Sequence, residues 1–413
     1  MRTEEVDRAA IPELEERWAA VLRHDRIPIV SYPYEWSFTM LKRAALVQLD
    51  LTLAALREGM TLKDATPFNV QWVGSQPTFI DIGSFTPYVA GEPWAGYRQF
   101  CEQFLFPLLL MAYKNLPFHP LMRGSLEGIS AETCRTMLSA RDVFRPGVLT
   151  HVLLQSTVQA RFADSNRDVR RDLRAAGFGA ALITHNVRRL RRLVERLEWT
   201  PGASPWSEYI SRHAYDDADR QQKEDFVRRV AASRRWRLVW DLGCNVGVYS
   251  RIASQHADYV VALDADHLVI DQLFRSLEAE GHHAILPLVG DLADPSPGLG
   301  WRGKERRPLA DRGTPDLILA LALVHHLAIG RHIPLPDLMA WFAEPGADLV
   351  IEFVGPADPM VARLMRNRAG QAIDYSQETF EAALNRCFDR VSHHPLPSGT
   401  RTLYHARAKA HAS

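Results

Sequence analysis

The chain has 413 residues, 46% of them apolar and 24% charged. That balance suits large buried cores and, at roughly 150 residues per domain, two or three domains. Lys+Arg and Asp+Glu both number 49, so the formal charge is zero, which excludes capture of nucleic acid or membrane by overall charge and leaves only local basic patches. Cys101, Cys134, Cys244 and Cys387 form no CxxC pair and no Cys/His ligand spacing. Neither a disulfide framework nor a metal site is expected, and a cytoplasmic setting fits.

The opening MRTEEVDRAAIPELEERW alternates charges and lacks the apolar run of a signal peptide. Residues 1–160 are mixed in character and rich in Pro and aromatics, with helices predicted near 38–58, 97–114 and 130–140. The most apolar window, Phe100–Tyr113, is interrupted by Glu102 and Gln103. It falls short of the roughly 20 residues a spanning helix needs, so no membrane segment is expected. In SYPYEWSF, aromatic rings stand beside one acid. Tyr32 and Glu35 are therefore candidates for a substrate wall, since rings beside a carboxylate suit an organic cation or a sugar; the alternative is the start of a core helix.

Further on, Asp64 and Asn69 stand five apart, and Asp81 follows in Asp-Ile-Gly. The stretch between them, NVQWVGSQPTFID, reads as a β-hairpin. Residues 161–221 read as a connector. It begins with an Arg-rich helix, residues 161–200 holding ten Arg against five acids, and continues through a Pro/Gly linker, TPGASPWSEY. Arg188, Arg189, Arg191, Arg192 and Arg196 read as a solvated face. Readers of single-stranded nucleic acid interleave aromatics with basic residues, and this helix has none before Trp199, so nucleic acid is not an expected partner.

From 222 to 413 the pattern changes. RLVWDLG, YVVALDA, AILPLVG, PDLILALAL and ADLVIEFV are apolar runs of strand length without a period-two pattern, as in parallel strands covered on both faces. Helical patterns between them predict a doubly wound, Rossmann-like α/β domain. In VWDLGCNVGVY an apolar strand ends in Asp241, and Gly243 and Gly247 open a tight turn into a helix whose amides face the strand ends. Asp264 ends the next strand 23 residues later, suited to both hydroxyls of a ribose. Asp291 ends the third. A dinucleotide site wants Gly where Cys244 and Asn245 stand, and Asp241 would repel a pyrophosphate but welcome a sulfonium or an ammonium. The chemistry favours a cationic nucleoside, S-adenosylmethionine.

On DLGCNVG, ALDAD, GDLAD, LALALVHHL and LVIEFV, taken in order over about 226–413, the chain resembles the class I S-adenosylmethionine-dependent methyltransferases. The resemblance implies a cofactor site of Asp241, Gly243, Cys244, Asn245, Gly247, Asp264 and Ala265, with Asp291 and Leu292 at the adenine and Leu321 and Ala322 closing the pocket. It places His325 and His326, after the fourth strand, where substrate-facing groups stand. A histidine titrating near 6.5 can take a proton there. It also makes the lead-in segment a lid, with Tyr215 on the methyl channel, Lys223 near the cofactor carboxylate, and Glu352 holding a substrate amine or capping a turn. The expected reaction is methyl transfer to an oxygen or nitrogen of a small polar metabolite. An RNA methyltransferase and a non-catalytic cofactor-binding scaffold are the alternatives, and no oligomeric state is implied.

LKDATPFNVQ and the Asp-Ile-Gly turn resemble the catalytic loop and metal-binding turn of aminoglycoside-phosphotransferase and choline-kinase-like kinases. Only about 38 residues precede helix 40–58, and neither a Gly-rich phosphate loop nor a strand Lys in a V-A-I-K setting is present. Residues 1–160 are thus expected to be a remnant kinase C-lobe serving as scaffold or substrate-recognition domain. The whole arrangement is similar to nodulation-associated methyltransferase-like proteins.

Overall fold

Strands that are apolar on both faces need helices above and below them. A computed structural model of the protein sets the five runs named above side by side in one sheet. The structure describes residues 2–7, 20–154, 179–202, 217–366 and 374–409. It divides into two compact units, one of Met1–Pro33 and Leu41–Trp199, the other of Tyr34–Met40 and Thr200–Ser413.

The first unit holds the strand pair β1 (Thr3–Glu5) and β2 (Leu22–His24), most of helix α1 (Phe38–Arg57), and β3 (Met60–Leu62) paired with β6 (Phe85–Pro87). Between the last two, β4 (Val70–Val73) and β5 (Gln76–Phe79) make the expected hairpin. Its tight turn contains Gly74 at φ +58°, a left-handed conformation that glycine adopts without a Cβ clash. Of the kinase-like residues, Asn69 and Asp81 come together, Nδ2 donating to Oδ2 at 2.9 Å. Asp64 is tied through its backbone, its N–H donating to Ser84 Oγ at 3.2 Å. Helix α2 (Phe106–Lys114) buries its first six residues and stops at Asn115, at φ +52°.

The Arg-rich helix α3 (Ala180–Arg196) belongs to this unit rather than to a connector. Ile183, Val187, Leu190 and Val194 recur at helical spacing and are all buried, which is the stripe a helix lays on a core. Arg191 pairs with Asp50 at 2.6 Å and with Glu195 at 3.1 Å. Past the helix end, Lys42 Nζ donates to the Leu197 carbonyl at 2.8 Å and Trp199 Nε1 to Asn115 Oδ1 at 2.7 Å. The part expected over 161–221 is therefore divided: residues up to Trp199 go with the first unit and those from Thr200 with the second.

In the second unit the sheet runs in the order β12-β13-β11-β10-β7-β8-β9. These strands are β7 (Trp236–Leu242), β8 (Ala257–Asp264), β9 (Ile285–Val289), β10 (Leu317–Ala320), β11 (Asp348–Val354), β12 (Phe388–Pro395) and β13 (Arg401–Ala408). The first five are parallel, and β13 is antiparallel to both β11 and β12. Sequence patterning did not reveal the last pair, because β12 is mostly exposed and shows no apolar run. Helices α4 (Asp217–Ala231), α5 (Val248–Ser254), α6 (His267–Glu280), α7 (Leu335–Ala343), α8 (Pro359–Arg366) and α9 (Gln377–Cys387) complete the unit. Phe226, Val227 and Val230 of α4 join Val239, Val260, Leu273 and Leu319 in one core cluster. Trp236 lies in the same cluster and its indole donates to the Ala231 carbonyl at 2.9 Å.

The chain steps from β7 outward to β9, then returns to the other side of β7 as β10. A parallel sheet opens a crevice at such a reversal, above the carboxyl ends of the strands. Among the described residues, no helix is long and apolar enough to cross a membrane.

Candidate active site

The turn from β7 into α5 stands at that reversal. Gly243, Asn245 and Gly247 all have positive φ, +77°, +48° and +79°, so the backbone coils left-handed three times within five residues. A Cβ at 247 would lie 2.6 Å from Leu273 Cδ1, so any other residue must both displace that side chain and hold the left-handed conformation. Asn245 is tolerated because its Oδ1 accepts the next amide, Val246 N–H, at 2.8 Å. The turn is pinned to the neighbouring strand, since the N–H groups of Gly243 and Cys244 both donate to the Leu263 carbonyl, at 2.8 and 3.1 Å. Cys244 is buried, and burial first, then the nearby acids Asp264 and Asp241, hold its thiol well above the usual range. It serves as packing.

Three acids stand at successive strand ends. Asp241 is opposite Ala262, Asp264 is opposite Val289, and Asp291 follows two residues later, so all three share the carboxyl edge of the sheet. Their settings differ. Asp241 is 1% exposed, and its Oδ2 accepts from Ser250 Oγ at 2.5 Å. Burial, with a further push from Asp264, raises its carboxyl to about 7 against the pull of Ser250. Asp264 is half-buried. Its Oδ2 accepts from Asn245 N–H and its Oδ1 from Asp266 N–H, both at 2.9 Å. Burial raises it too, while those amides act in the opposite direction. A carboxylate oxygen has more than one lone-pair site, so Asp264 closes the glycine turn and can still accept from a diol.

Asp291 is half-buried, its Oδ1 taking the Ala293 N–H at 2.9 Å and its Oδ2 held by Arg331 at 2.7 Å. Ala265 is exposed, Leu292 half-buried and Leu321 buried. Sequence patterning missed Ser250 and Arg331. Ser250 was findable as the residue nine beyond Asp241 that faces back from the first turn of α5; Arg331 had no local signal.

Past β10 the chain makes another left-handed step at Ala322, φ +49°. His325 and His326 follow, their rings 4.1 Å apart. His325 is 0% exposed, and both its ring nitrogens lack a hydrogen-bond partner among the described residues. Burial, then His326, Arg401 and Lys223, hold it well below its usual 6.5. His326 is lowered to about 4, by burial and then Arg401. Burial first, and then the neighbouring cations, oppose protonation, so both rings stay neutral at pH 7.

Glu352 and Lys223 are bonded to each other, where Lys223 is expected near the cofactor carboxylate and Glu352 either on a substrate amine or capping a turn. Glu352 is fully buried; it takes Lys223 Nζ at 2.7 Å, Arg401 at 3.2 Å and the Ala322 N–H at 2.8 Å. Burial alone would raise its carboxyl, but the two cations more than offset this and hold it below the usual value. Arg401 also pairs with Asp358 at 2.8 Å. Glu352 thus anchors the backbone step that leads to the histidines. Arg401, brought in by β13, escaped sequence reasoning because its partners are 43 and 49 residues away.

Glu35 is committed as well. Arg312 grips it with two bonds, at 2.7 and 2.5 Å, and Ser296 Oγ donates to it at 2.5 Å. Tyr32 is buried in the first unit. Tyr215 lies outside the described residues.

Five parallel strands in this order, an antiparallel strand β13 set between β11 and β12, and an acid-rimmed glycine turn after β7 make a doubly wound, Rossmann-like sheet. No family model matches the chain. The nodulation protein NoeA of Rhizobium meliloti (strain 1021) is 36% identical over 389 residues, which is 94% of this chain and 81% of that protein. The chain belongs to the NoeA family. Among solved structures, the N-methyltransferase NodS from Bradyrhizobium japonicum WM9, in complex with S-adenosyl-L-homocysteine, is 12% identical and matches half of this chain and all of its own, at a TM-score of 0.35. Magnesium protoporphyrin IX methyltransferase from Synechocystis PCC 6803 is 15% identical over 62% of this chain, at a TM-score of 0.33. Likenesses this distant carry no chemistry across.

Proposed function

We propose that the protein is an S-adenosylmethionine-dependent methyltransferase acting on an oxygen or nitrogen of a small polar metabolite. One observation carries this reading: a buried acid, Asp241, and a half-buried acid, Asp264, flank a left-handed glycine turn at the switch point of the sheet. A carboxyl held near 7 by burial ionises fully once a cation is beside it, so Asp241 would take the cofactor ammonium. Asp264, Ala265 and the amides of the turn would hold the ribose, and Asp291 with Leu292 the adenine. When bound, the cofactor supplies a methyl group on a sulfonium, poised for a nucleophile in line with it.

The chain's own task is to orient that nucleophile, whose proton passes to water, since positioning is the larger part of such catalysis. His325, neutral and with both ring nitrogens unmatched, would accept a hydrogen bond from an acceptor hydroxyl or neutral amine. Ala322, held by Glu352, sets the turn that presents it. The first unit would act as scaffold or substrate-recognition domain, and the kinship with NoeA supports a part in nodulation. The test is transfer of label from methyl-tritiated cofactor to a panel of hydroxyl- and amine-bearing saccharides and small metabolites, with mass spectrometry of the products. Labelled product is expected. Binding of S-adenosylhomocysteine with no labelled acceptor across the panel would leave a non-catalytic cofactor-binding protein instead.

A further inference from the structure

The residues 34–40 precede the second unit by more than 150 positions in the chain, yet they pack with it. Two groups of their polar contacts reach distant elements of that unit. Glu35 takes both terminal nitrogens of Arg312 and the hydroxyl of Ser296, and the ion-pair side chains are 3% and 1% exposed. Ser296 and Arg312 belong to the long connection between β9 and β10, and within it Leu309 N–H donates to the Ser296 carbonyl at 3.1 Å while Arg312 N–H donates to Leu309 at 3.3 Å. Glu35 therefore knots the two ends of that loop. The loop opens with Asp291 and Leu292, five and four residues before Ser296.

The second group reaches α6. Thr39 N–H donates to Asp271 Oδ1 at 2.7 Å, and Arg275 Nε donates to Thr39 Oγ1 at 3.0 Å. Asp271 is 2% exposed and pairs with Arg275 at 2.9 Å. The same helix is capped by Asp266, whose side chain takes the Leu268 N–H at 2.8 Å and whose own N–H donates to Asp264. One short segment thus fastens both elements that carry the acids at the ends of β8 and β9.

A buried ion pair contributes little net stability compared with apolar side chains of the same size; what it supplies is a fixed geometry. We propose that residues 34–40 are a positioning strap for the adenosine end of the cofactor site, with Glu35 its principal residue. This rests on the cofactor assignment made above. Glu35 itself touches no cofactor: it acts through Ser296 and Arg312 on the loop that holds Asp291, while Thr39 acts through Asp271 on the helix that Asp266 caps.

The experiment uses the full chain and three variants: Glu35→Gln, which keeps the shape but removes the charge, Glu35→Asp, and Ser296→Ala, which removes one bond and strands no charge. Titration calorimetry with S-adenosylhomocysteine and with adenosine alone is done well below each variant's melting temperature. Glu35→Gln is expected to weaken both ligands by the same factor, about tenfold. Glu35→Asp should recover part of that, and Ser296→Ala should lose a smaller factor in the same direction. Where turnover is measured, KM for the cofactor rises while kcat at saturation stays within about twofold. If Glu35→Gln does not fold, Ser296→Ala alone decides. A lower melting temperature with unchanged affinity for both ligands would overturn the strap and leave a structural ion pair. Wild-type protein that binds neither ligand would instead overturn the cofactor assignment.

Discussion

Asp241 is a carboxyl kept out of water, and burial raises it to about 7, so an empty site holds it about half protonated at neutral pH. A cationic ligand stabilises the ionised form, so binding expels a proton and tightens as pH rises. Affinity for S-adenosylhomocysteine, whose ammonium Asp241 would meet, is expected to increase about tenfold from pH 6 to pH 8. His326, near 4, stays neutral throughout and adds nothing to that slope. Asp241→Asn is expected to flatten most of the dependence, a comparison that calorimetry at pH 6, 7 and 8 makes directly. Glu352 poses a different question at the same scale. Removing its carboxylate takes one ion-pair partner from each of two buried cations, Lys223 and Arg401, 2% and 8% exposed, while Arg401 keeps Asp358. Breaking a buried pair in this way costs about 3–5 kcal/mol. Glu352→Ala should lose that much in urea unfolding, and Lys223→Met combined with Glu352→Leu should recover part of it.

The turn from β7 into α5 is the element whose shape the sequence states most openly. Two glycines after a strand-end acid announce it, and the structure shows why each is needed: positive φ at both, and Leu273 against position 247. Gly247→Ala is expected to destabilise the unit by about 2 kcal/mol, from the left-handed conformation of a residue with a Cβ together with the clash. Denaturant titration followed by tryptophan fluorescence measures it. The five parallel strands were legible for a related reason, since strands covered on both faces show unbroken apolar runs. The β12–β13 pair was not, because its outer strand faces water and its pattern is polar. The histidine turn was legible in position but not in chemistry. A dipeptide cannot report that burial first, then His326 and the cations Arg401 and Lys223 drawn from β13 and α4, hold His325 below its usual value.

Taken whole, the molecule separates what a sequence carries locally from what only folding assembles. The places of Asp241, Asp264 and Asp291 at the carboxyl edge of the sheet were readable because each stands at the end of its own strand. Glu35 invited assignment to a substrate because its partners, Ser296 and Arg312, lie 261 and 277 residues away, and no local pattern announces a bond across such a span. The boundary near Trp199 was blurred for a similar reason. An Arg-rich helix looks like a solvated connector until its apolar stripe is found buried in the first unit. A chain beginning at Thr200 would lack the carboxylate that Arg312 holds, and it should unfold at lower urea than the same unit within the whole chain.

The proposed activity requires that the acid-rimmed crevice at the sheet reversal take a sulfur nucleoside. Calorimetric titration of the full chain with S-adenosylhomocysteine at pH 8, beside Asp264→Ala, tests this most directly. Saturable one-to-one binding that falls at least tenfold in the variant is the predicted result; no binding to the wild type, or equal binding to both, contradicts it.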